Sequence, residues 1–172
     1  MHSDTIWRHV DTERAVLADI LEALPDDAWR TPSLCDAWTV REVAAHLTFS
    51  HAGVRDLHVL AARSGFRYNA AVRDAALRCP LGHEQIVDTL RGFVGSRRTV
   101  PGVSEREPLL DVLVHTQDIC VPLDIDRPMP GDAAVVALER VIWWSRRPTS
   151  TSAARCAPSP RPTAPRPCQR TA

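Results

Sequence analysis

Three residues have the types and spacing to do chemistry together: His46, Asp111 and His115. His46 sits in the apolar run VAAHLTF, and His115 in the run LLDVLVHTQDI with Asp111 four positions before it. On a helix, positions i and i+4 share one face, so the Asp111 carboxylate and the His115 ring can point at one centre. Two readings fit. In one, Asp111 and His115 form a buried pair that faces His46, because an unpaired carboxylate in an apolar setting is costly. In the other, the three side chains surround a divalent metal. Two histidines and one carboxylate leave a coordination position open for water or an exogenous thiol. The string DxxxH is common, and spacing alone leaves both readings open. Asp118, three residues after His115, either accepts a hydrogen bond from a histidine ring or caps the helix end locally.

Other chemistries find little support. No glycine-rich phosphate loop is present, and no serine sits in a nucleophile elbow. The chain has no lysine, so Schiff-base and phosphate-binding lysine mechanisms are excluded. Cys35 precedes a helix start, and a helix N-terminus can lower a thiol pKa, but no histidine lies near it in sequence to activate it, so it reads as unreactive. The five cysteines are odd in number and irregularly spaced, with no CxxC, which argues against a disulfide framework or a zinc ribbon. His51 and His58 are read as surface or rim residues, and His2, His9 and His83 carry no signal.

Helices must position these groups. Ile6, Val10, Leu17, Ile20, Leu21 and Leu24 recur at near-helical spacing, so residues 5–24 read as an amphipathic helix. A turn-rich loop follows, in which Trp29 and Trp38 are expected to lie against the core as lids. Thr39 and Glu42 form a capping box that opens a helix running to about residue 63, with Val43, Leu47, Val54 and Leu57 near one face. Residues 64–80 are expected to be an irregular crossover holding a broken helix between Asn69 and Arg78. Residues 83–94 form the next helix, with Ile86, Val87, Leu90 and Phe93 inward. Glu107 and Pro108 open the helix that carries Asp111 and His115, ending before Pro122. Asp132 caps a final helix whose apolar positions include Val135, Leu138, Val141 and Ile142. Alternating strand patterns are scarce, so the fold class is all-α: a bundle of four main helices.

The balanced charge of the chain conceals two unlike parts. Residues 1–146 hold all 21 acidic residues and 16 of the 21 arginines, a formal charge of −5. Residues 147–172 hold the other five arginines and six of the 14 prolines, with no Leu, Ile, Val, Met, Phe or Trp. The first part is long enough for one sizeable core, and the second reads as a disordered tail. An acidic domain is a poor nucleic-acid binder. No run is apolar and long enough for a transmembrane helix, and the N-terminus lacks a signal core, so a soluble cytoplasmic protein is the expectation.

Three stretches resemble a known family: TPSLCDAWTVREVAAHL at 31–47, PLLDVLVHTQDICVPLDI at 108–125 and DRPMPGDAAVVALERV at 126–141. They are similar to the metal-binding N-terminal domain of the mycothiol-dependent maleylpyruvate isomerases, a DinB-like four-helix bundle. The resemblance covers roughly residues 5–146. It implies that His46, Asp111 and His115 are the metal ligands, although the founding isomerase has a glutamate where Asp111 stands. It further implies a divalent metal, zinc above all, whose open position receives the mycothiol sulfur for attack on a small electrophilic substrate. The activity implied is mycothiol-dependent isomerisation or thiol transfer. The alternative is a non-catalytic or truncated metal-binding bundle acting as an interaction module. Monomer is the default state, with a homodimer as the other option. The resemblance stops after Trp144. The Arg/Pro/Ala/Ser/Thr mixture beyond about residue 145 is what a frameshift in a GC-rich gene would produce.

Overall fold

A computed structural model describes residues 1–51, 68–99 and 102–146. Among these, six α-helices and no sheet make an all-α bundle of DinB-like type: α1 (Ser3–Glu22), α2 (Val40–Leu47), α3 (Tyr68–Leu77), α4 (His83–Gly92), α5 (Arg106–Cys120) and α6 (Gly131–Ser145). Short 3-10 turns follow α2 and α5 directly, at Thr48–His51 and Val121–Leu123.

Four of the helices, α1, α2, α4 and α5, enclose the main core. It joins Leu17 and Leu21 of α1, Val43 and Leu47 of α2, Ile86 and Leu90 of α4, and Val112 and Ile119 of α5. Each such side chain contributes roughly 1.5–3 kcal/mol on leaving water. A second, smaller cluster lies beside it. There Ile6, Trp7 and Val10 of α1 meet Leu109 and Leu113 of α5 and Ala133, Val136 and Ala137 of α6. The expectation of four main helices therefore describes the main core, while α3 packs on α2 and α6 packs on α5 as additions. The short helix expected inside the crossover is α3. The continuation of the second helix, with Val54, Leu57 and His58, lies outside the described residues, as does the 147–172 tail.

Local sequence explains most boundaries. Glu42 accepts hydrogen bonds from the Thr39 backbone N–H at 2.9 Å and from the Thr39 hydroxyl, fixing the start of α2. Trp29 is buried and stacks on His83 at 4.1 Å, acting as the lid its loop position suggested. The face expected for α6 needs correction. Val135, Leu138, Val141 and Ile142 are all exposed, and the helix buries the smaller Ala133, Val136 and Ala137 instead. Both stripes are apolar at helical spacing, and close approach to α5 favours the one with small side chains.

Charged groups also hold the layers together. Arg127, in the connection before α6, pairs with the buried Glu13 of α1 at 2.8 Å. No helix among the described residues is long and apolar enough to cross a membrane.

Candidate metal centre

α5 is the platform of the site. Its packed face, Leu109, Val112, Leu113, Thr116 and Ile119, fixes the rotation of the helix. That rotation turns Asp111, His115 and Asp118 toward the end of α2. There His46 emerges from a run of buried residues, Val43, Ala44, Ala45 and Leu47, so its backbone has little freedom. The His46 ring is half-enclosed by aromatic neighbours, Trp38 at 5.3 Å and Phe49 at 6.3 Å between ring centroids. It meets the His115 ring edge-on at 5.0 Å.

The three residues singled out from sequence do converge. One ligand atom from each of His46, Asp111 and His115 lies within 4.8 Å of the other two. Asp111 Oδ1 stands 3.6 Å from His46 Nε2 and 3.4 Å from His115 Nε2. These separations exceed the range of good N–H···O hydrogen bonds, about 2.7–3.2 Å. They match the edge of a tetrahedron about a zinc-sized ion, about 3.3 Å for ligand bonds of about 2.0–2.1 Å. The donor set, two imidazoles and a carboxylate, also suits zinc and its divalent neighbours. His46 Nδ1 is buried and has no hydrogen-bond partner among the described residues. The residues present therefore fit a divalent ion.

The other edge of His115 is built differently. Its Nδ1 lies 2.8 Å from Asp118 Oδ2, and the Cys35 thiol donates to the same oxygen at 3.1 Å. Cys35 Sγ is 3.7 Å from His115 Nδ1, so Cys35, His115 and Asp118 form a second group of metal-ligating type. The loop before α2 delivers Cys35 to this place. Ser33 N–H donates to the Trp38 carbonyl, Val40 N–H to the Thr31 carbonyl, and Leu34 N–H to the Asp118 carbonyl of α5. The loop turns at Ala37, whose φ of 62° is left-handed.

Charge follows this arrangement. Burial alone would raise the Asp111 carboxyl, but the His115 and His46 imidazoles beside it outweigh burial and hold Asp111 below the usual carboxylate range. Burial works against the His115 cation, yet Asp111 and Asp118 on its two sides push its pKa up to about 9. Burial also opposes ionisation of Asp118, and the bonds from His115 and Cys35 more than compensate, lowering it. Cys35 is held as a thiol, in keeping with the reading that it is not a reactive nucleophile. Burial, then the hydrogen bond to Asp118, push its thiol up to about 12, and the helix N-terminus does not lower it.

Sequence reasoning found His46, Asp111, His115 and Asp118, and it missed the place of Cys35, which lies 80 residues from His115 along the chain. It also missed the buried Arg14 of α1, which lines a cleft with Asp111. His51, read as a rim residue, packs on the Phe93 ring at 3.7 Å with Nε2 buried.

The family model for the mycothiol maleylpyruvate isomerase N-terminal domain matches residues 10–99. The match includes His46 and the Cys35 loop and ends before Asp111 and His115. No curated protein and no solved structure matches the chain. The helical bundle and the matched half of the sequence together place this chain in the mycothiol maleylpyruvate isomerase N-terminal domain family.

Proposed function

We propose that this protein binds a divalent metal, zinc, through His46, Asp111 and His115, and uses it in mycothiol-dependent isomerisation or thiol transfer. The observation that carries the metal reading is the spacing of the three ligand atoms, too wide for direct hydrogen bonds and suited to a shared cation. When bound, the metal would supply Lewis acidity and stabilise the thiolate of the incoming cosubstrate.

The protein's own residues do the rest. Asp118 holds His115 by Nδ1, which leaves Nε2 facing the centre. Trp38 and Phe49 fix the His46 ring and keep water from its flanks. Asp111 stays ionised, so it is ready to bind a cation without first losing a proton. Cys35, held protonated and hydrogen-bonded to Asp118, acts as a donor that orders the carboxylate rather than as a nucleophile. An external thiol is therefore the better nucleophile for this site. The substrate is a small electrophile, and the protein works as a cytoplasmic monomer in which residues 1–146 are the metal-binding domain and 147–172 the tail.

The test combines metal analysis of the purified protein with assays of mycothiol-dependent isomerisation and conjugation. Stoichiometric metal with thiol-dependent turnover is the expected result. Metal without turnover would favour the second reading, a non-catalytic metal-binding module. No metal above background in protein prepared with zinc would sink both.

A further inference from the structure

The Asp118 side of the His115 ring carries a donor set of its own. One ligand atom from each of Cys35, His115 and Asp118 lies within 4.8 Å of the other two, and the set shares only His115 with the candidate metal centre. The proposed function uses this cluster as a support. A thiol, an imidazole and a carboxylate are also the ligand types that a thiophilic dication takes.

The geometry is close to what such an ion needs. About a zinc-sized ion, a tetrahedral edge is about 3.6 Å between sulfur and nitrogen and about 3.3 Å between nitrogen and oxygen. The separation of Cys35 Sγ from His115 Nδ1, 3.7 Å, already fits. The two shorter separations, 2.8 Å from Nδ1 and 3.1 Å from Sγ, both end on Asp118 Oδ2. Admitting an ion therefore asks one terminal carboxylate oxygen to swing outward by about half an ångström. Charge permits the exchange. The hydrogens on Sγ and Nδ1 both face that oxygen, and a dication that sends both protons to solvent leaves the net charge of the cluster unchanged. Coordination deprotonates a thiol outright, so a thiol held protonated in the metal-free cluster is no bar. Access is short, because Cys35 is half-buried between the exposed Leu34 and Asp36.

Occupation of this cluster has a consequence for the neighbouring centre. A neutral imidazole has one hydrogen and one free lone pair. An ion on Nδ1 confines the hydrogen to Nε2, where it faces Asp111 Oδ1 at 3.4 Å and leaves nothing to ligate an ion beside His46. An ion on Nε2 confines the hydrogen to Nδ1, where it holds Asp118. One ring serves one ion at a time. We propose that Cys35, His115 and Asp118 form a second, sulfur-bearing site for a thiophilic divalent ion, and that filling it empties the His46–Asp111–His115 centre. The exclusion rests on the metal binding proposed above, whereas the sulfur-bearing site does not need it.

Cadmium is the probe, because its bond to a thiolate adds an ultraviolet charge-transfer band. The full-length chain carries Cys156→Ser and Cys168→Ser, which removes the two tail thiols, while Cys79 and Cys120 are buried. One cadmium per chain with a thiolate band is expected. Cys35→Ser should abolish the band and weaken cadmium binding by about tenfold or more. His46→Ala should keep the band. In protein loaded with zinc beforehand, elemental analysis should show zinc leaving one for one as the band grows. A band that persists in Cys35→Ser, or cadmium bound with no band, would overturn the site. Zinc retained at full band intensity would overturn the exclusion. Should Cys35→Ser fail to fold, the His115 ring-nitrogen NMR signals of the chain with Cys35 intact decide: cadmium belongs on Nδ1, and cadmium on Nε2 refutes the proposal. The two ideas fail separately. A cadmium band in a protein that never retains zinc removes the metal function and leaves this site standing, and retained zinc without a cadmium band does the reverse.

Discussion

The two edges of the His115 ring are built on opposite plans. On one edge, Nδ1, Asp118 and Cys35 close up with separations of 2.8 and 3.1 Å, so each polar atom finds its partner within the protein. On the other, Nε2, Asp111 and His46 stand apart at 3.4 and 3.6 Å with His46 Nδ1 unpartnered behind. Both edges draw on the same side-chain chemistry. Their difference separates a donor cluster whose atoms leave room for an ion from one already satisfied within the protein. A satisfied cluster is a support for its neighbour.

Breaking this contrast most severely means removing the ring that both edges share. His115→Ala should reduce bound metal to background, measured by elemental analysis, because one ligand and the route from Asp118 disappear together. If the open edge alone holds the ion, Asp118→Asn should keep metal stoichiometric in excess zinc. Competition with a chelator should then show metal affinity weakened about 10- to 100-fold. An unchanged affinity would mean that Asp118 does not orient His115.

A control away from both edges comes from His51. Burial first, then Arg14 and Arg98, depress its pKa to about 4, below the ordinary value near 6.5. Its contribution to stability is therefore fully present above about pH 6.5 and lost as pH falls toward about 4. His51→Phe should flatten this part of the stability profile in denaturant titrations, and an unaltered slope would contradict the depressed pKa.

The smallest effect concerns the loop that supplies the closed edge. Ala37 adopts φ 62°, a region costly for a residue with a Cβ. Ala37→Gly should relieve that strain, and the greater freedom of glycine in the unfolded chain opposes part of the gain. Thermal unfolding should show a net stabilisation of under about 1 kcal/mol. A loss of stability would mean the methyl group makes a contact worth more than the strain.

Local signals in the sequence were easy to read and largely correct. The spacing in α1 places Ile6, Val10, Leu17 and Leu21 in the core, and the Thr39–Glu42 pair starts α2 where expected. The i, i+4 relation of Asp111 and His115 survives because it depends on helix geometry alone. What stayed hidden depends on long-range packing. Nothing near Cys35 in the chain says that its loop will dock on α5, and nothing near Arg14 says that its charge will be buried beside Asp111. The face of α6 was misjudged because size, and not polarity, decides between two apolar stripes. The larger residues looked like the core, yet Ala133 and Ala137 are the ones that let the helices meet.

That exposed stripe on α6 bears on how the protein behaves at high concentration. Val135, Leu138, Val141 and Ile142 put a greasy strip along one outer helix, where neighbouring molecules can adhere without any change in their folded cores. Handling should therefore be limited by colloidal behaviour before it is limited by unfolding. Replacing Leu138 with glutamate should raise the concentration at which ammonium sulfate precipitates the protein, while the melting temperature barely moves.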